Sequence, residues 1–81
     1  MDRDPGQKAQ AYFEAAYAAQ MQGSLDEAIT LYEKSLACVP TAEAHTYLGW
    51  TLSLKGDYEG AIQACHHAIE VDPAFGNPYN D

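Results

Sequence analysis

The 81-residue chain is poor in basic side chains. Four Lys and Arg residues stand against twelve Asp and Glu residues, which gives a formal net charge of −8. A protein that tracks nucleic-acid phosphates needs a basic surface, and so does a protein that docks on an anionic membrane leaflet. The charge balance therefore argues against both nucleic acid and membrane as partners.

Cysteines and long apolar runs are also scarce. Two cysteines cannot form the disulfide-dense scaffold that stabilises many small secreted domains. No apolar run approaches the length that a membrane-spanning helix needs. The segment from Met1 to Gly6 lacks the apolar stretch behind a basic start that marks a secretory signal. We therefore expect one soluble, acidic, cytoplasmic domain.

The residues that are abundant favour helices. Alanine, the residue that costs least in a helix interior, is frequent, whereas Val and Thr are few. No stretch alternates apolar and polar residues as a half-buried strand would. The sequence therefore predicts an all-α fold.

The chain also repeats itself with a period of 33 residues. Identical residues at this offset include Gly23 and Gly56, Ala28-Ile29 and Ala61-Ile62, and Pro40 and Pro73. Conservative matches in the same register pair Tyr17 with Trp50, Asp26 with Glu59, Ser35 with Ala68, and Leu36 with Ile69. Small residues and helix breakers set backbone geometry, so the pattern indicates two copies of one structural unit.

Each unit reads as two antiparallel helices joined by a tight turn. The predicted helices run from about Lys8 to Gln22, from Leu25 to Cys38, from the Thr41 cap to about Lys55, and from Tyr58 to about Val71. Ser24 to Glu27 has the pattern of a capping box, and Asp57 is a second N-cap. Gly56 is suited to a left-handed turn, and Pro40 ends the second helix.

These residues make the sequence resemble the tetratricopeptide-repeat (TPR) family. The second unit meets the family pattern with His45, Leu48-Gly49, Leu52, Ala61, Cys65 and Pro73, and the first with Tyr12, Ala15-Ala16, Ala19, Ala28, Tyr32 and Pro40. His45, Cys65 and Ala19 depart from the preferred residues, which predicts looser packing there.

The resemblance implies an α-solenoid fragment of two antiparallel helix hairpins, four helices in all, in right-handed stacking. It divides the chain into a flexible tail (1–7), two repeats (8–40 and 41–73), and residues 74–81, which resemble the start of a third repeat. The alternative for residues 74–81 is a disordered polar end.

The first helix of each unit has two distinct faces by its helical spacing. One face of each helix is expected to lie against the hairpin core. Its residues are Tyr12, Ala15, Ala16 and Ala19 in the first unit, and His45, Leu48, Gly49 and Leu52 in the second. The resemblance implies that the other face lines a concave groove for a partner protein. Its residues are Gln10, Phe13, Tyr17, Gln20, Glu43, Thr46, Trp50 and Ser53.

The groove residues include three aromatic rings and no Lys or Arg. We therefore expect a non-enzymatic scaffold for protein–protein interaction that binds a hydrophobic or basic segment. In the alternative interpretation, Tyr17 and Trp50 only pack against each other and hold the two repeats together.

Two other hypotheses come from the second half of the chain. Because stacked repeats bury their faces against neighbours, the last helix could form a homodimer through Ala61, Ile62, Cys65 and Ile69.

A metal site would use Cys65, His66 and His67 with His45, although consecutive helical residues diverge by about 100° each and so do not converge on one ion. We expect no cofactor and no catalytic constellation, since no motif for either is present.

Overall fold

The computed structural model describes residues 4–72, which form four α-helices. In chain order these are α1 (Pro5–Met21), α2 (Leu25–Cys38), α3 (Ala42–Lys55) and α4 (Tyr58–Val71). Each helix packs against the next, which makes two hairpins, α1–α2 and α3–α4, stacked through α2 and α3. The predicted all-α solenoid fragment of two hairpins is confirmed.

The first helix begins earlier than the sequence predicted. The Asp4 carboxylate accepts a hydrogen bond from the Gln7 amide at 2.9 Å, and Pro5 occupies the first helical position. This position suits proline because its missing N–H has no helical partner there. Residues 5–7, assigned above to a flexible tail, are therefore helical. The predicted start of a third repeat (74–81) lies outside the described residues.

The two hairpin turns contain the glycines that the sequence singled out. Gly23 has a φ of 85° and Gly56 a φ of 97°, in the left-handed region that glycine adopts without strain. The prediction of a capping box at Ser24 is wrong, because the Ser24 side chain makes no capping hydrogen bond. Asp57 has nearly the same backbone angles, but its longer side chain reaches the Gly60 amide at 3.0 Å.

Small side chains dominate the core and bring the helices close together. Ala16, Ala28 and Tyr32 are completely buried, and Tyr32 is by far the largest of the three. Ala19 is also buried and Tyr12 half-buried, as predicted, but Ala15 is exposed. The helix period placed Ala15 near the hairpin face, yet α2 packs on the Ala9, Ala16 and Ala19 side of α1 instead.

No helix within residues 4–72 combines the length and the apolar composition that crossing a bilayer requires.

Candidate functional site

The centre of the predicted groove is a cluster of aromatic rings around Tyr47. The Tyr47 ring lies 5.3 Å from the Phe13 ring and 5.9 Å from the Tyr17 ring, both in edge-to-face geometry. It also stacks on Tyr32 at 6.2 Å and contacts Trp50 at 5.9 Å. Since offset and edge-to-face pairs add attraction beyond their buried area, these rings fix the second hairpin against the first.

We call Tyr17, Tyr47 and Trp50 the aromatic row. Tyr17 is 43% exposed and Trp50 is 50% exposed, whereas Tyr47 is half-buried between them. Direct packing of Tyr17 on Trp50 was the alternative to a binding role. The structure instead joins the two rings through Tyr47 and leaves large parts of both in solvent. Such rings can serve packing and binding at once.

The remaining predicted groove residues of α1 divide between solvent and the interior. Gln10 is exposed, where its amide donates to Glu14, and Phe13 is half-buried against the core. Gln20 is 5% exposed and accepts a 2.7 Å hydrogen bond from the Tyr32 hydroxyl. Gln20 therefore lies in the interior and not on the groove surface where its spacing placed it.

Sequence reasoning missed Tyr47 because it assigned only two faces to α3. A helix in the middle of a stack has a third face, which packs against the preceding hairpin. Ala44, Tyr47 and Thr51 follow each other at spacings of three and four residues, and both Ala44 and Thr51 are completely buried. That spacing is visible in the sequence and would have revealed the third face.

The second hairpin contains an open apolar cleft of about 540 Å³, which we call the α3–α4 cleft. It is lined from α3 by Thr46, Gly49, Trp50 and Ser53, and from α4 by Tyr58, Ala61, Ile62, Cys65, His66 and Ile69. Three of the predicted groove residues and all four predicted self-association residues thus share one cleft. Glu43, also predicted for the groove, is exposed at the start of α3.

The cleft is open because α4 has no described element on its far side. Ile62 is 59% exposed and Ile69 is 53% exposed, whereas Ala61 is buried against α3. Two β-branched apolar side chains in solvent on one helix face are typical of a surface that a partner covers. The homodimer that this face suggested stays a prediction.

A smaller cleft contains two of the three histidines. His45 stacks on His67 with ring centres 5.3 Å apart, and the buried Nδ1 of His45 has no hydrogen-bond partner among the described residues. Burial lowers the pKa of His45, and the neighbouring His67 lowers it further, while Glu70 acts in the opposite direction. His45 is therefore held in its neutral form.

The proposed metal set does not converge. His45 and His67 line the smaller cleft, whereas Cys65 and His66 line the α3–α4 cleft. Within residues 4–72, no group of three or more His, Cys, Asp or Glu side chains is arranged to hold a metal ion.

Comparison with known families agrees with this geometry. Two family models described as tetratricopeptide repeat match the chain, one over residues 2–43 and the other over residues 42–75. Among curated proteins, no relative matches the sequence. The two matches meet at the junction between the hairpins, and the first covers more than half of the chain. The chain therefore belongs to the tetratricopeptide-repeat family.

Proposed function

We propose that this chain is a non-enzymatic module for protein–protein interaction, which is the general role of tetratricopeptide repeats. It binds a segment of a partner protein along the groove formed by α1 and α3. The aromatic row supplies the anchors. Gln10, Glu43, Thr46 and Ser53 supply polar contacts at its edges.

The exposure of Tyr17 and Trp50 is the observation that carries this proposal. Binding energy at protein interfaces concentrates in a few large aromatic side chains at the centre of the contact. Rings that served packing alone would gain by being covered, yet about half of each ring surface is in solvent. Because Tyr47 contacts Tyr17 edge-to-face and Trp50 in a tilted geometry, both rings are fixed before the partner arrives.

The charge of the chain favours one class of partner. The groove residues named above include a carboxylate and no Lys or Arg, and the whole chain carries −8. An acidic segment would be repelled at long range, whereas a basic one would be attracted and would associate faster at low salt. We therefore expect a hydrophobic segment that bears positive charge.

A displayed peptide library selected against the full chain tests the proposal. Sequences with apolar and basic residues should be enriched, and Tyr17→Ala or Trp50→Ala should weaken their binding about tenfold or more. Val71→Ala is the control, because Val71 is an apolar side chain that is 44% exposed and lies outside both the aromatic row and the α3–α4 cleft.

Circular dichroism separates a binding role from a structural one. Both groove variants should keep the helical signal of the wild type. If both unfold, the rings belong to the core and the groove proposal fails. It also fails if selected peptides bind Tyr17→Ala and Trp50→Ala as tightly as the wild type.

A further inference from the structure

The first hairpin has a surface equivalent to the α3–α4 cleft of the second hairpin, and in the first hairpin this surface is covered by α3. The residues of α3 that face it are spaced three, four and four residues apart: Ala44, Tyr47, Thr51 and Lys55. Tyr47 packs on the rings of α1 and α2. Lys55 forms an ion pair with Asp26 in the first turn of α2. An aromatic residue and a cation eight positions later are therefore the two specific contacts.

The 33-residue period carries the same features to the α3–α4 cleft. Trp50 takes the place of Tyr17, Ile62 that of Ile29, Ile69 that of Leu36, and Glu59 that of Asp26. Glu59 lies in the first turn of α4 and is exposed, as Asp26 is in α2. The cleft thus has an apolar floor. Glu59 lies next to the cleft residue Tyr58 and holds the sequence position at which the first hairpin binds a cation.

Two substitutions between the units explain the volume of the cleft. Cys65 stands where the first unit has Tyr32, and Thr46 stands where it has Phe13. Two rings that fill the first interface are therefore missing from the second, and the cleft of about 540 Å³ borders both positions. A helix that docks here must supply the missing bulk itself, and a large ring also makes favourable contact with the Cys65 sulfur.

We propose that the α3–α4 cleft binds a helix of a partner protein in the way that the first hairpin binds α3. The docked helix carries a large aromatic residue over Thr46 and Cys65, beside Trp50, which are the equivalents of the rings that Tyr47 contacts. Eight positions later it carries a Lys or Arg that pairs with Glu59. Small residues three positions before and four positions after the aromatic residue let the helix approach closely. This site differs from the proposed groove of α1 and α3, with which it shares Thr46, Trp50 and Ser53 but not Tyr17.

A second copy of this chain fits the cleft poorly. In a head-to-tail stack, α1 would dock, and its residues at the four template positions are Ala11, Glu14, Ala18 and Gln22. Glu14 would bring a carboxylate to the apolar floor, and Gln22 would leave Glu59 without a cation. A symmetric contact of α4 with α4 would bring together two faces that contain Glu59 and Glu70 and no Lys or Arg. Both arrangements also join copies with a charge of −8 each.

The probe is a synthetic peptide with the sequence of residues 41–56, in which Trp50→Gln removes its indole. Trp50 of the full-length protein, the single tryptophan of the chain, is then the only fluorophore of its kind and borders the cleft. Addition of the peptide should shift its emission to the blue in a saturable manner. A Tyr47→Ala peptide should bind about tenfold more weakly, and Ile62→Glu in the protein should abolish the shift.

Charge reversal identifies the site. A Lys55→Glu peptide should bind the wild type about two- to fivefold more weakly, the range for an exposed ion pair. Glu59→Lys in the protein should restore its binding. Asp26→Lys is the matched control, since it makes the same exchange in the first turn of α2 and should restore nothing. Circular dichroism of each protein variant confirms that it remains folded.

Several results would overturn the proposal. These are the absence of a saturable shift, a shift that survives Ile62→Glu in a folded variant, and rescue by Asp26→Lys instead of Glu59→Lys. Sedimentation that shows a dimer broken by Ile62→Glu would assign the cleft to a second copy. Tyr17→Ala should leave peptide binding unchanged, so failure at the cleft and failure of the aromatic row are distinguishable.

Discussion

The hydrogen bond from Tyr32 to Gln20 allows a sharp test of the core. Both residues are buried, at 0% and 5% exposure, and the hydroxyl donates to the amide oxygen at 2.7 Å. The Gln20 Nε2 atom already has no partner among the described residues. Tyr32→Phe would leave the whole Gln20 amide unsatisfied in the interior while changing the packing little. An unsatisfied buried polar group costs about 1–3 kcal/mol, so we expect a loss of that size in the free energy of unfolding.

Urea and thermal denaturation followed by circular dichroism measure this loss. For a domain of this size, each kcal/mol lowers the Tm by about 4–8 °C. The matched control is Tyr17→Phe, which removes a hydroxyl from a ring that is 43% exposed and should change stability by less than about 0.5 kcal/mol.

A double variant separates the hydrogen bond from packing. Gln20→Met combined with Tyr32→Phe replaces both polar partners by apolar groups of similar shape, and such exchanges are close to neutral. We expect the double variant to be more stable than Tyr32→Phe alone. The reasoning is refuted if Tyr32→Phe costs no more than Tyr17→Phe, or if the effects of the two core substitutions simply add.

Three further predictions follow from individual side chains. Since burial lowers the pKa of His45, the folded state resists its protonation. The free energy of unfolding should therefore fall as the pH drops from about 7.5 to about 5. This loss should be absent in His45→Gln and present in His66→Gln. Urea denaturation midpoints measured across this pH range test the prediction. Gly49→Ala should lower the free energy of unfolding by about 1 kcal/mol, because a Cβ at this position would lie 3.1 Å from the Ala61 carbonyl oxygen. We expect this crowding to outweigh the gain in helix propensity. A higher Tm for the variant would contradict the prediction. Lys55→Met should lower the free energy of unfolding by less than about 1 kcal/mol in dilute buffer and by almost nothing in about 1 M NaCl, because the Lys55–Asp26 ion pair is exposed. If the loss of stability is as large in salt, the packing of the Lys55 side chain matters more than its charge.

The Tyr32 hydroxyl also links stability to alkaline pH. Burial, with smaller contributions from Tyr47 and Tyr17, raises its pKa from 10.0 to about 12. Because the folded pKa is the higher one, this contribution to stability is complete below about pH 10 and is lost as the pH rises towards 12. Ultraviolet titration should show one of the six tyrosines ionising last, and Tyr32→Phe should remove that step.

Much of the local structure could be predicted because its causes are local. The ends of α2, α3 and α4 match the sequence, since Gly23, Gly56 and Asp57 act through their own backbone and nearest neighbours. The start of α1 was missed, although Asp4-Pro5 is a local signal of the same kind. Ser24 to Glu27 has the sequence pattern of a capping box, but the short Ser24 side chain makes no capping hydrogen bond.

The candidate site was predicted only in part. Spacing correctly placed Tyr17 and Trp50 on an exposed face, but it also placed Gln20 there. Helical periodicity states which residues share a face and does not state how closely the next helix approaches that face. Gln20 is buried because α2 brings Tyr32 to it, twelve residues away in sequence.

The sequence by itself determined the helices, the turns and the two-unit repeat, because these depend on interactions within a few residues and on a pattern repeated along the chain. The tertiary structure decided how the faces are used. It gave α3 a third face through Tyr47, divided the cysteine and histidine cluster between two clefts, and joined two separately predicted surfaces into the α3–α4 cleft. The physical reason is that burial depends on which neighbour covers a face, and that neighbour is brought into place by packing between helices.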